Sequence, residues 1–242
     1  MDQTLEKIDV IILAGGRGTR LAPVVVDRPK VLAQIGDTPF IYLLLNQVAS
    51  AGARRVVIAT GYLGNMVENE VGSLFKGMEI LYSREREVRG TAGALRMAIE
   101  ISHTKQVLVV NGDSLSDFSI KEFVLRSLAC EARAAILLNE DQNWPDVGSV
   151  MTNQRAEVTT FLEKGSDPDH DVKRLVNAGV YFFETNTIRE MSKRIPYSLE
   201  REFFPELVGK GLYGFKLSKK FLDIGTPERY NWACQYFSSQ VV

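Results

Sequence analysis

Cysteine and histidine are scarce in this 242-residue chain, at two each. Cys130 and Cys234 lie far apart and in no CxxC pattern, so no disulfide framework is expected and a reducing compartment is the economical reading. His103 and His170 lack ligand spacing, which leaves a zinc site unsupported. No run of about 18 apolar residues occurs, so no membrane span is expected. Neither charge sign dominates: 29 basic residues against 30 acidic ones give a formal net charge of −1. A protein that wraps nucleic acid normally carries a basic surplus, so that partner is disfavoured. Internal repeats, low-complexity tracts and Gly/Ser/Pro linkers are absent too. The start, Met1-Asp2-Gln3-Thr4-Leu5-Glu6-Lys7, is acidic and polar, unlike a signal peptide. The expectation is a soluble cytoplasmic globule with neither a membrane nor a nucleic-acid partner.

What the chain has is apolar residues, 45% of the total, in a length that buries roughly 70–75% of its unfolded surface without staples. They recur as short β-branched runs followed by helical patterns. Strands are expected at Asp9–Leu13, Arg55–Thr60, Glu79–Ser83 and Gln106–Asn111, with helices near Pro39–Ser50, Asn65–Phe75 and Ala92–Ile101. That alternation predicts βαβ units, a parallel sheet buried on both faces, and loops gathered along one edge. After about residue 132 the rhythm changes. Arg133–Asn139, Gly148–Thr152, Glu157–Glu163 and Val176–Glu184 read as antiparallel strands. Helices are expected at Thr185–Lys193 and Leu199–Gly209, then extended chain over Tyr213–Ile224 and a helix over Thr226–Phe237. Residues 1–242 are therefore expected to form one domain with two lobes, 1–131 and 132–242.

The first strand runs into Leu13-Ala14-Gly15-Gly16-Arg17-Gly18-Thr19-Arg20-Leu21. Its glycines let backbone N–H groups approach a ligand, and Arg20 adds a planar cationic fork. Lys30, in Arg28-Pro29-Lys30, brings a second cation, and together these suit a polyphosphate. A P-loop needs a lysine after Gly18 and has none. A dinucleotide fold needs a third glycine and an acidic residue ending the second strand, and Ala59-Thr60-Gly61 supplies no carboxylate.

With Pro29-Lys30 downstream, this loop resembles the signature of the sugar-1-phosphate nucleotidyltransferases, which join a nucleoside triphosphate to a sugar 1-phosphate and release pyrophosphate. Further motifs keep the family's order across nearly the whole chain. Within the family it is similar to the short bacterial guanylyltransferases acting on D-glycero-α-D-manno-heptose 1-phosphate, with mannose-1-phosphate guanylyltransferases close behind. The resemblance implies an α/β fold: a Rossmann-like, mixed but mainly parallel sheet flanked by helices (GT-A-like), with a β-rich sugar-binding lobe. It also implies that residues 1–131 bind the nucleotide and 132–242 the sugar phosphate. Relatives are often dimers or tetramers, and the oligomeric state stays open.

Ser83–Leu95 resembles the family's base-recognition loop, with Glu85 at a position that holds Gln or Glu. A carboxylate only accepts, and guanine offers two adjacent donors, N1–H and the 2-amino group, so Glu85 leans towards GTP. Some uridylyl members also carry Glu here, which keeps other triphosphates open. Gly90 would bring backbone against the base and Thr91 would cap a helix; Glu87 reads as a solvent-exposed charge. Asn111-Gly112-Asp113 ends the fourth parallel strand, so the Asp113 carboxylate points into the ligand edge. In Asp223-Ile224-Gly225-Thr226-Pro227-Glu228, residues 226–228 are explained by a helix start, with Thr226 as N-cap. Asp223 is not.

Both aspartates match the family's Mg²⁺ ligands, and two carboxylates with phosphate oxygens and water suffice for that ion. The resemblance further implies that Arg20 and the loop amides take the β- and γ-phosphates and Lys30 the α-phosphate. In the second half, Gly148, Glu163, Lys164 and Asn177-Ala178-Gly179 resemble sugar-phosphate elements. Ser198–Leu207 reads as structural, with Ser198 as N-cap and Leu199, Phe203 and Leu207 on a core face. At this length the C-terminal β-helix of bifunctional relatives is not expected. Two other readings remain: a sensor that binds a nucleotide sugar without turnover, and an NAD-dependent oxidoreductase.

Overall fold

A computed structural model describes residues 4–140, 149–162, 175–218 and 220–238. Among these, strands Asp9–Ala14, Arg55–Thr60, Met78–Arg84 and Gln106–Asn111 form the expected parallel core, ordered third-second-first-fourth. Asp9–Ala14, Arg55–Thr60 and Gln106–Asn111 are apolar through their middles because both faces are covered, whereas Met78–Arg84 carries exposed Glu79 and Arg84. Val10, Ile12, Val56, Ile58, Leu108 and Val110 point into one hydrophobic core. Ile11, Val57, Ala59, Val107 and Val109 point into the other. The two-residue period of a strand thus distributes one continuous run between two layers.

Helices Phe40–Ser50, Gly64–Val71, Ile120–Ala129 and Pro227–Ser238 cover the first face. Gly90–Ala98, Thr185–Arg189 and the turns over 199–207 cover the second. The chain therefore has a mixed α/β architecture with a central, mostly parallel sheet and helices on both sides.

Several boundaries differ from the expected ones. The second helix stops at Val71, because Gly72 takes φ +72° and the chain turns into a short strand, Leu74–Phe75. Leu199–Gly209 is a π-turn over Leu199–Phe203 followed by a short α-helix, Phe204–Leu207. Ser198 does cap it, accepting from Arg201 N–H, and Leu199, Phe203 and Leu207 are buried as expected. Helix Ile120–Ala129 is not among the expected elements. Its signal is nevertheless present: Ser119 accepts from the N–H of Glu122, and Ile120, Phe123, Val124 and Ser127 form its buried stripe.

The second half adds antiparallel strands to the sheet. Leu175–Glu184 pairs with Ala134–Glu140 on one side; on the other, its Val180–Glu184 end pairs with Gln106–Asn111 and its Leu175–Val176 end with Ser149–Thr152, which in turn pairs with Val158–Leu162. Leu212–Lys216, at the start of the expected extended chain, runs parallel to Ala134–Glu140. Within the strand expected over Glu157–Glu163, the structure describes strand Val158–Leu162, and Gly148, Glu163, Lys164 and His170 lie outside the described residues.

Candidate active site

All four parallel strands release their loops on the same edge, where the order switches between the first and fourth strands. There a cleft of about 660 Å³ opens, within the usual range for small-molecule sites. Of the residues expected at the nucleotide, Leu13, Ala14, Gly15, Gly16, Lys30, Glu85, Gly90, Thr91, Asn111, Gly112 and Asp113 line it. Gly18, Thr19 and Arg20 do not. Gly18 packs against the stem of Lys30, 3.2 Å from Lys30 Cβ to an added Cβ. Arg20 is exposed and lies beside Gly225 in the Asp223 loop, its Nη2 3.5 Å from a Cβ placed there.

The loops meet too closely for side chains. A Cβ on Gly61 would stand 2.7 Å from the Gly15 carbonyl oxygen, and one on Gly15 would stand 2.6 Å from Glu85 Oε1. Glycine at 15 is thus what lets the Glu85 carboxylate lie over the loop backbone. Glu85 Oε2 accepts from Arg89 N–H at 3.0 Å. Burial raises the Glu85 pKa, opposed by that N–H and by the charge of Arg89.

On the cleft floor Lys30 Nζ donates to Asp113 Oδ2, and Ser114 Oγ donates to Oδ1 at 3.1 Å. Burial alone would raise the Asp113 carboxyl, but the Lys30 ammonium and its hydrogen bond outweigh it and hold the carboxyl below its ordinary value. Asp223 arrives from the far end of the chain. Strand Lys220–Asp223 pairs antiparallel with Ser114–Asp117, setting Asp223 opposite Ser114, and Ile224 N–H donates to the Asp113 carbonyl. The two aspartates are therefore neighbours. Burial, then repulsion from Asp113, pushes the Asp223 carboxyl up to about 6. Its oxygens accept from Gly225 N–H and from Arg229 Nη1, each at 2.7 Å.

Thr91 does not cap a helix. The helix starts at Gly90, and Thr91 Oγ1 instead donates to Glu200 Oε2 and accepts from Leu199 N–H, both at 2.8 Å. Asn177-Ala178-Gly179 forms a bulge: pairing steps from Asn177 opposite Leu138 to Tyr181 opposite Ile136, and Gly179 takes φ +71°. The bulge aims Asn177 Nδ2 at Tyr181 Oη, 2.9 Å, and sets Gly179 against Asn111. Asn111 Nδ2 reaches the same phenol at 3.3 Å, and Tyr181 Oη donates to Glu200 Oε1. A hydrogen-bonded chain thus joins the cleft residues Thr91 and Asn111 to Asn177, which does not line the cleft.

Arg17, Tyr62 and Arg86 also line the cleft, although the sequence pattern singles out none of them, and Glu200 reads from sequence as structural. Arg17 and Arg86 are legible as cations inside the glycine loop and the base loop. Glu200 is not, because a π-turn alters which face it presents. Glu87 is exposed at the cleft mouth, paired with Arg89 at 2.6 Å.

A family model described as nucleotidyl transferase matches residues 9–239. The chain belongs to this family. It is 31% identical over 227 residues to the D-glycero-alpha-D-manno-heptose 1-phosphate guanylyltransferase of Aneurinibacillus thermoaerophilus, covering 93% of this chain and 96% of that protein. It is 32% identical to the mannose-1-phosphate guanylyltransferase of Mycobacterium tuberculosis, where the alignment spans 93% of this chain and only 63% of the relative. Among solved structures, HddC from Yersinia pseudotuberculosis superposes with a TM-score of 0.82 at 28% identity, covering 95% of this chain and 99% of that one. HddC has also been crystallised in complex with GMP-PN. No helix among the described residues is long and apolar enough to cross a membrane.

Proposed function

We propose that this nucleotidyl transferase joins GTP to D-glycero-α-D-manno-heptose 1-phosphate, giving the nucleotide sugar and pyrophosphate. The observation that carries the base is Glu85, an acceptor-only group held over the glycine loop inside the cleft. Guanine presents two adjacent donors to such a group, and a pyrimidine at most one. Heptose is favoured by the relative of matching length; mannose 1-phosphate is the second candidate, on an identity of 32%.

The chemistry follows from charge. An oxygen of the sugar 1-phosphate attacks the α-phosphorus in line and pyrophosphate leaves. A phosphate monoester with its second pKa near 6 is largely dianionic at pH 7, so it needs no general base. The barrier is the meeting of two anions, and catalysis is positioning plus neutralisation. Lys30 takes the α-phosphate charge. The loop amides take the β- and γ-phosphates with Arg17, which lines the cleft; Arg20, assigned there by resemblance, stands outside the cleft beside Gly225.

Membership of the family implies a divalent-metal-dependent transfer. Asp113 and Asp223 fit such an ion: they are hard oxygen donors, adjacent, and the Asp113 charge makes that of Asp223 costlier. They would hold Mg²⁺, which when bound neutralises phosphate charge and aligns the two substrates. The sugar phosphate is assigned to the 132–242 lobe, with Asn177, Ala178 and Gly179 in the bulge and Gly148, Glu163 and Lys164 by resemblance.

The test is pyrophosphate release over a grid of GTP, CTP, UTP, dTTP and ATP against heptose, mannose and glucose 1-phosphates with Mg²⁺. Turnover confined to GTP with heptose 1-phosphate is expected. Preference for a pyrimidine triphosphate would overturn the base assignment and keep the reaction class. Nucleotide binding without turnover on any sugar would favour a sensor.

A further inference from the structure

Behind the base loop, on the far side of helix Gly90–Ala98, lies a second concavity of about 300 Å³. Arg89, Arg96, Arg189 and Lys193 line it, with Glu100 as the one acid, so its walls carry a surplus of cations. Nine arginines elsewhere or at its rim sit beside a carboxylate in this structure. Arg96, Arg189 and Lys193 form no ion pair among the described residues. Arg17 and Arg86 share that state, and they line the nucleotide cleft. Unpaired cations gathered in a concavity repel one another, and an anion relieves the repulsion.

The cations are also held in place. Arg96 Nη1 donates to the Ser192 carbonyl, and Nη2 to that of Lys193 at 3.4 Å, pinning helix Gly90–Ala98 to the turn after helix Thr185–Arg189. The base of the Arg89 side chain packs against Gly93, where an added Cβ would stand 2.8 Å from Arg89 Cβ. Arg89 Nε is buried without a hydrogen-bond partner among the described residues. The guanidinium meanwhile donates to Glu87 Oε1 at 2.6 Å, and Glu87 lines the nucleotide cleft.

We propose that this concavity is a binding site for a small phosphate-bearing anion, and that its occupancy weakens nucleotide binding through Arg89. The phosphate draws the Arg89 fork away from Glu87, which leaves an unpaired carboxylate at the mouth of the cleft, facing a triphosphate. The backbone N–H of Arg89 holds Glu85, so the same movement loosens the base loop. By linkage, nucleotide weakens the anion by the same factor. The site itself stands apart from the proposed reaction; its effect on nucleotide rests on the cleft being the triphosphate site.

Calorimetric titration of the full chain tests both halves. Inorganic phosphate and glucose 6-phosphate are titrated in separate arms, against sodium chloride at equal ionic strength. Binding is expected in wild type and in Lys30→Ala, and about tenfold weaker in Arg189→Ala/Lys193→Ala, whose side chains are exposed. Tighter binding of the ester would assign the space to a carbon skeleton. Equal affinity in the double variant, or loss only in Lys30→Ala, would place the anion in the nucleotide cleft and overturn the site. GTP is then titrated with and without the anion. A Kd at least about threefold weaker is expected in wild type and not in the double variant. An unchanged GTP Kd in wild type would overturn the coupling. Failure of GTP to bind at all would instead count against the nucleotide reading of the cleft, and the anion titration alone would then decide the site.

Discussion

Lys30 and Asp113, 83 residues apart in sequence, form an ion pair on the floor of the cleft. The pair is partly shielded, the lysine side chain 16% and the aspartate 30% exposed. Each therefore stands in for what the other meets with substrates bound: Lys30 keeps the carboxylate charged and ready for a cation, and Asp113 keeps the ammonium in place for a phosphate. Removing either leaves the other partly shielded and without its counter-charge. Lys30→Met and Asp113→Asn are each expected to lower turnover by roughly 10²–10³, equivalent to about 3–4 kcal/mol. The double variant should lose little more than the worse single one, because the two act as a unit. Pyrophosphate release with circular dichroism as a check on folding measures this. Full additivity would mean that the pair does not act together.

Glu85 predicts a pH dependence with a definite sign. Burial raises its pKa, opposed by Arg89, so in the folded protein it takes up a proton at higher pH than an exposed glutamate does. For stability, a carboxyl raised on folding contributes fully below its unfolded pKa and loses that contribution as pH rises through the folded value. For binding the direction reverses: the ionised form is the acceptor that guanine needs. GTP affinity should fall as pH is lowered through the raised range. Glu85→Gln, which neither titrates nor is acceptor-only, should flatten that fall and narrow the preference for GTP over UTP. A Glu85→Gln enzyme with the wild-type pH profile and base preference would separate Glu85 from base recognition.

The parallel sheet is legible in the sequence because fully buried strands leave unbroken apolar runs, and Arg55–Thr60 and Gln106–Asn111 lie where those runs stand. The glycine loop and Asp113 are legible for the same reason, since ends of buried strands define the ligand edge. What is not legible depends on pairing between distant segments. Resemblance sets Asp223 with Asp113, but residue patterns alone do not: they meet because Lys220–Asp223 pairs with Ser114–Asp117, two strands of four residues that carry no pattern of their own. Thr91 reads as a cap from its neighbours, and its hydroxyl goes to Glu200 because a π-turn 108 residues away presents that carboxylate and the Leu199 N–H. The parallel partnership of Leu212–Lys216 with Ala134–Glu140 likewise needs a crossover that local periodicity cannot encode.

Gly90 is the position where glycine is required twice over. Its φ is +73°, and a Cβ there would stand 2.4 Å from the Tyr197 carbonyl oxygen, a backbone atom that cannot swing aside. Gly90→Ala should cost at least about 2 kcal/mol, from the left-handed conformation and the displacement of the 197–199 segment together. Because Ala92 N–H also bonds the Tyr197 carbonyl, the base loop should loosen with it. Gly16→Ala is the control: nothing lies within 4 Å of its added Cβ. Thermal unfolding should separate the two variants clearly, and equal midpoints would show that the 197–199 segment yields at no cost.

Arg229 and Asp223 form the most enclosed ion pair among the described residues, with side chains 6% and 10% exposed and 2.7 Å between Nη1 and Oδ2. Such a pair contributes little net stability against an apolar equivalent, because both ions have given up water. Breaking it is a different matter. Arg229→Met leaves a buried carboxylate beside Asp113 without its guanidinium, and should destabilise by about 3–5 kcal/mol at pH 7. The penalty should shrink as pH falls below 6, where Asp223, already pushed up to about 6, takes a proton and the orphaned charge disappears. Arg229→Met/Asp223→Asn should recover much of the loss at neutral pH, since neither charge is then present. Denaturant unfolding of the four proteins at pH 5 and pH 8 gives the whole cycle. If Arg229→Met were equally destabilised at both pH values, its effect would be packing rather than charge, and Asp223 would owe its ionisation to Gly225, Lys30 and Arg20 alone.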